Sequence, residues 1–146
     1  MLFNKKWLDE WVPNSLSAQD LADKITMAGL EVDSVKAPCG DFDHVVVAKV
    51  VSCKDHPDSD HMHVTLVDDG SGELIQVVCG APNCREGLKV CFSQIGAHVN
   101  GLHIKKAKLR GVDSNGMLCS YKELGMAEES DGIIELPEDA PIGMDV

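Results

Sequence analysis

The chain has 146 residues, 44% of them hydrophobic and 25% charged, with a net charge of −11. That is long enough for one sizeable core and fits a water-soluble globular domain. The acidic balance argues against tight, promiscuous nucleic-acid binding. No apolar run approaches a membrane span, and MLFNKKWLDEWVP lacks the uninterrupted apolar stretch of a signal peptide, so the expected compartment is the cytoplasm.

Residues 1–36 read as two short helices. Asn4 can cap the first, Trp7, Leu8 and Trp11 share one face, and Pro13 closes it. In the second, Ser17 and Asp20 occupy capping-box positions. Leu16 and Leu21 can form a hydrophobic staple, and Gly29 suits the residue after the cap. From His44 the period changes. HVVVAKVVSC is a β-branched strand, KDHPDSDH a loop, and HVTLVDD an alternating strand. DDGSGE turns it into a hairpin with LIQVVC, and LKVCF and GMLCS are further strands. QIGAHVNGLHI has glycines for bends and a short hairpin. The tail carries Glu128, Glu129, Asp131, Glu135, Glu138 and Asp139, broken by Pro137 and Pro141, and reads as an exposed return segment or linker.

Five or six short strands after two helices, without βαβ alternation, predict an α+β chain: a helical piece at 1–38, then a small antiparallel OB-type barrel in 39–146, its strands spanning about 40–125.

Charge is unevenly spread along this frame. Residues 1–84 carry −8 and residues 111–146 carry −8, whereas residues 85–110 hold six basic and one acidic residue, +5. Four of the cations, Lys105, Lys106, Lys108 and Arg110, fall within six positions, and Ser114, Asn115, Gly116 and Met117 follow. Such a run can track a phosphate backbone, or it can be a solvated hairpin with charged flanks. In an extended segment Lys106, Lys108 and Arg110 share one parity and Lys105 the other.

Other chemistries find little support. His56, His61 and His63 lie among Asp55, Asp58 and Asp60, but no second ligand cluster has recognisable spacing, so the expectation is no metal. The six cysteines form no CxxC pair and are expected to be reduced, mostly as small buried side chains. Neither GxxxxGK[ST] nor GxGxxG nor a nucleophile elbow occurs, so no catalytic residue and no cofactor is expected within these residues.

The ordered set HPDSDHMHV (56–64), VVCGAPN (77–83), KLRGVDSNGML (108–118) and ELG (123–125) resembles the tRNA-binding OB-fold module of tRNA-binding proteins and synthetases. With KKWLDEWVP and LADKITMAGLEVDSV before it, the chain is most similar to the start of the β subunit of bacterial phenylalanyl-tRNA synthetases. The resemblance implies an N-terminal fragment, because those subunits are several times longer. Its opening helices would be half of a discontinuous domain into which the barrel is inserted. It implies a non-catalytic tRNA-binding module within an α2β2 enzyme that attaches phenylalanine to tRNA using ATP and magnesium. The partners implied are tRNA, the α subunit and the rest of the β subunit. Lys108, Arg110, Ser114 and Met117 fall in the RGVxSxGM region and Asn83 in CGAPN. Ser114 and Asn83 would donate hydrogen bonds, and Met117 would lie on a base or fill the barrel rim. His61 stands where relatives usually carry Lys or Arg; it removes one phosphate contact but can stack. Two alternatives remain: a structural, subunit-positioning module with little RNA affinity, and a free-standing tRNA-binding protein.

Overall fold

The computed structural model describes residues 1–146, which divide into two units, Met1–Ala37 and Pro38–Val146. No helix is long and apolar enough to cross a membrane.

The first unit contains α1 (Lys5–Trp11) and α2 (Ala18–Met27). Asn4 Oδ1 accepts the Lys6 N–H at 2.9 Å, satisfying one orphan donor at the start of α1. At α2, Ser17 Oγ accepts the Asp20 N–H at 3.1 Å and donates to Asp20 Oδ2 at 2.7 Å. Gly29, at φ +102°, ends α2, and Leu30 N–H donates back to Ile25 O. The caps define these helices better than burial does. Ala22 is the unit's single buried hydrophobic residue, while Trp7 and Trp11 are 62% and 77% exposed. Helices this short are marginal without packing. The amides of α1 and α2 are therefore expected to exchange hydrogen well before those of the buried strands, measured residue by residue on the intact chain. Equal protection would mean that something covers the tryptophans in solution.

The second unit is a curled antiparallel sheet. Its strands are β1 (Val45–Asp55), β2 (His63–Asp68), β3 (Leu74–Cys79), β4 (Lys89–Ser93), β5 (His98–Val99), β6 (Leu102–His103), β7 (Ala107–Leu109), β8 (Val112–Ser114), β9 (Met117–Leu118) and β10 (Glu135–Leu136). The main sheet runs β10-β4-β1-β2-β3, and β9 also pairs with β4. The strand segments outnumber the sequence-based expectation because several are two- or three-residue arms of small hairpins.

β1 is the pivot. Its first half pairs with β4, from Val45 opposite Ser93 to Lys49 opposite Lys89. From Lys49 onward it pairs with β2, with a register shift between Val50 and Ser52. The inserted residue bends the strand so that it serves two directions of the sheet. Its opening apolar run does not alternate because both faces are covered. Val46, Ala48 and Val50 join Val67, Val77, Val90 and Phe92 inside the barrel. Val45 joins Cys91, Val99, Ile104, Cys119, Leu124 and Ile134 in a second cluster.

Residues 113–118 close the barrel between β3 and β4. Asn115 N–H donates to Gln76 O at 2.9 Å and Gln76 Nε2 donates to Asp113 O at 2.8 Å. On the other side, Leu118 lies opposite Phe92.

The tail corrects the linker reading. Ile133 and Ile134 are buried in the two clusters, and β10 pairs with β4. Further on, Val47 N–H donates to Met144 O, Gly143 N–H to Val47 O and Val146 N–H to Val45 O. The acidic residues are outward positions of a segment that satisfies otherwise unpaired edges of β1 and β4.

Candidate nucleic-acid interface

The basic run forms a tight hairpin, with Ala107 opposite Ser114, Lys108 opposite Asp113 and Leu109 opposite Val112. Its two-residue turn is Arg110–Gly111, at φ +46° and +85°. Two successive positive φ angles match the twist of a two-stranded ribbon. Glycine adopts them freely; arginine does so at a cost on the order of 1 kcal/mol.

What holds Arg110 there is a latch from the loop between β1 and β2. Arg110 Nη1 donates to Asp58 O at 2.8 Å. His56, 4% exposed, has its Nε2 at 3.0 Å from Leu109 O, while its Nδ1 accepts the Asp58 N–H at 3.0 Å. Both bonds are satisfied by the neutral Nε2–H tautomer, so His56 donates to the hairpin tip. The latch brings the 56–61 loop, carrying exposed His61, to the basic hairpin. A Cβ on Gly80 would stand 4.0 Å from His61 O, so the CGAPN loop borders the same loop. His56 was visible in the sequence only as one histidine of an aspartate-rich loop. Its role depends on a residue more than fifty positions away.

The hairpin has two faces. Lys106 Nζ lies 3.4 Å from Asp113 Oδ2, and Lys108 is in register with Asp113, which places both lysines on one outward face. On the opposite face the β8 strand turns to the barrel, while Ala107 and Leu109 of β7 stay exposed. Ser114, 3% exposed, accepts the Val78 N–H at 3.0 Å and donates to Gly116 O at 3.1 Å. Lys105 precedes β7 and is exposed. The two other cations of the positive stretch are engaged elsewhere: Lys89 Nζ donates to Ala140 O at 2.6 Å, and Arg85 binds Glu135 through two hydrogen bonds at 2.7 and 3.0 Å.

Beside the hairpin is a cleft of about 390 Å³. Cys79, Gly80, Ala81 and Pro82 line one side, and Met117, Leu118, Ser120 and Glu123 another, with Ser130–Ile133 completing it. Met117 is half-buried and packs on the second core cluster while facing the cleft. Asn83 does not line this cleft. Its Oδ1 accepts the Ile133 N–H at 3.0 Å, and its Nδ2 donates to Ile133 O at 2.9 Å and Glu135 Oε1 at 3.1 Å. Asn83 is therefore a clamp between the CGAPN loop and the returning tail, and its amide is committed within the chain.

Arg85 first, and then Asn83, hold the Glu135 carboxyl down from the ordinary 4.5 to about 2. A depressed acid stabilises the fold above its unfolded value, and that contribution fades as pH falls through the folded one. Glu135→Gln should flatten the loss of stability between pH 4.5 and about 2, read as urea midpoints across that range. Parallel curves for the two proteins would show that the clamp adds nothing. The pair is solvent-exposed, so the difference should be modest.

Residues 45–145 match the family described as "Putative tRNA binding domain". The chain is 57% identical to the phenylalanine–tRNA ligase beta subunit of Shewanella oneidensis and 56% identical to that of Yersinia pestis. Each match covers 100% of this chain and 18% of the relative, so the chain spans less than a fifth of their length. Among solved structures, the MetRS related protein from Pyrococcus horikoshii superimposes with a TM-score of 0.52 at 28% identity, covering 70% of this chain and 87% of that one.

Proposed function

Given that this chain belongs to the tRNA-binding domain family, we propose that its barrel holds tRNA by the phosphate backbone along the β7–β8 hairpin, as an accessory module of a phenylalanine–tRNA ligase β subunit. The observation that carries the reading is the hairpin itself: Lys106 and Lys108 on one outward face, with Arg110 latched at the tip. Arg110 gives one Nη1 bond to Asp58 O, and its remaining donors can fork onto a phosphate. Lys105 and His61 flank the path. Met117, on the wall of the neighbouring cleft, would meet a base. Asn83 and Ser114 act indirectly, by holding the CGAPN loop and the hairpin in position.

The whole enzyme would join phenylalanine to its tRNA as an α2β2 assembly. Its ATP and magnesium would be held outside these residues, and residues 1–38 would form half of a domain completed later in the chain.

The net charge of −11 and the internal engagement of Arg85 and Lys89 favour a second reading, a subunit-positioning module with little RNA affinity. Titrating end-labelled tRNA with the purified chain at two salt concentrations separates them. The first reading expects weak binding, with Kd on the order of 10⁻⁴–10⁻⁶ M, falling steeply with salt. Absence of binding even at low salt would leave the second.

A further inference from the structure

We propose that Cys53 and Cys84 form a reversible disulfide when the chain meets a hydroperoxide, joining β1 covalently to the end of the CGAPN loop. The two thiols are 31 positions apart in sequence, yet the fold makes them neighbours. Beyond Lys49 opposite Lys89, the contact between β1 and the chain leading into β4 runs on through two backbone bonds. Val50 N–H donates to Leu88 O and Gly87 N–H donates to Val50 O, each at 2.8 Å. Continued in the same antiparallel sense, β1 carries Cys53 toward Cys84. A turn fixes Cys84 from its own side, its N–H donating to Ala81 O at 3.2 Å. The Cys53 thiol therefore meets Cys84: its Sγ lies 4.0 Å from Cys84 Sγ and 3.7 Å from Cys84 O. Cys79, the third thiol of this neighbourhood, accepts the Ala81 N–H at 3.4 Å.

Access sets the order of events. Cys53 is partly exposed at the margin of the first core cluster, while Cys84 is 7% exposed within it. A small peroxide reaches Cys53 first, and Cys84 is the thiol behind it. Cys91 and Cys119, 1% and 0% exposed, are sealed in the second cluster. Burial raises the Cys53 thiol, so its attack is slow at neutral pH and quickens as pH rises. The second step is intramolecular between sulfurs already in contact, which favours closure over further oxidation.

The Cys53 thiolate attacks the hydroperoxide; the O–O bond breaks, an S–O bond forms, and the leaving oxygen takes a proton from solvent as water or alcohol. Sulfur is oxidised by two electrons and the peroxide is reduced. The Cys84 sulfur then attacks the sulfenic sulfur of Cys53. The S–S bond forms, the S–O bond breaks, and hydroxide leaves with the Cys84 proton as water. Side-chain rotation closes the sulfurs from contact to a bond of about 2 Å. The product closes a ring through β2, β3 and the CGAPN loop, and it anchors to β1 the residue that follows the Asn83 clamp.

The test treats the folded chain with hydrogen peroxide at mildly alkaline pH, alkylates the remaining thiols, cleaves after lysine and arginine and maps the peptides by mass spectrometry. Cys53 and Cys84 then fall on separate peptides, residues 50–54 and 55–85. The expected product is the two joined, two hydrogens lighter than their sum and separated by dithiothreitol. Fragments that break between Cys79 and Cys84 should show Cys79 alkylated and Cys84 in the link. The joined chain should unfold at higher urea than the reduced one, since the ring restricts the unfolded state. In Cys84→Ser a dimedone-type probe should trap sulfenic acid at Cys53. A Cys79–Cys84 link in place of Cys53–Cys84, a link that forms only after unfolding, or a lower urea midpoint for the oxidised chain would each overturn the proposal. The wild-type map decides this even if the variant folds poorly, and it does not depend on RNA binding.

Discussion

Gly116→Ala should destabilise the barrel by roughly 2–5 kcal/mol, read as a fall in the urea midpoint with unchanged slope. Gly116 sits at φ +146° in the segment that closes β3 against β4. A Cβ there would stand 2.7 Å from Ser93 O and run into the ring of Phe92. Phe92 is fully buried among Val46, Ala48, Val90 and Leu118, so its ring has no free space to enter. Backbone strain and overpacking therefore add. Gly111→Ala is the control: its φ is +85°, but nothing lies within 4 Å of the added carbon. It should cost only about 1 kcal/mol, from strain alone. Equal losses at the two sites would mean that the Phe92 contact relaxes without cost.

The second large effect is on RNA. Replacing Lys106, Lys108 and Arg110 together with alanine should flatten the plot of log affinity against log salt by roughly 0.7–0.9 per lost phosphate contact, about 2–3 in all. The three occupy the outward face and tip of one hairpin, where Asp113 offsets part of the charge. Lys105→Ala should do less. Arg85→Ala should leave the slope unchanged, because its guanidinium already holds Glu135. Since Arg110 also latches the tip to Asp58, the Lys106→Ala/Lys108→Ala pair separates lost charge from a loosened hairpin. Ser114→Ala makes the opposite comparison. It strips the acceptor from the buried Val78 N–H and should cost about 1–3 kcal/mol of stability with no change in slope. An unchanged slope in the triple variant would remove the hairpin from the RNA path.

Much of the scaffold follows from local chemistry. Asn4 and Ser17 announce the helix starts because a cap needs one side-chain oxygen and the next few amides. The β2–β3 hairpin is readable because alternating residues flank a glycine-rich turn. The positive hairpin stands out for the same reason: four cations within six positions of an acidic chain need no partner to be seen.

What the tertiary structure alone decided depends on residues far apart in sequence. Ser114 and Asn83 look like exposed donors in their motifs, yet the fold spends them on Val78 and on Ile133, the latter 50 positions away. His56 reads as one member of a polar loop until Leu109, 53 positions on, accepts its proton. The acidic tail reads as solvent-exposed because its charges do face water. Only strand pairing reveals that its backbone and two isoleucines complete the edges of β1 and β4. Composition and period report which groups prefer water or a core. They do not report which distant backbone group lacks a hydrogen-bond partner, and that need, set by the curl of β1, assigned these residues their places.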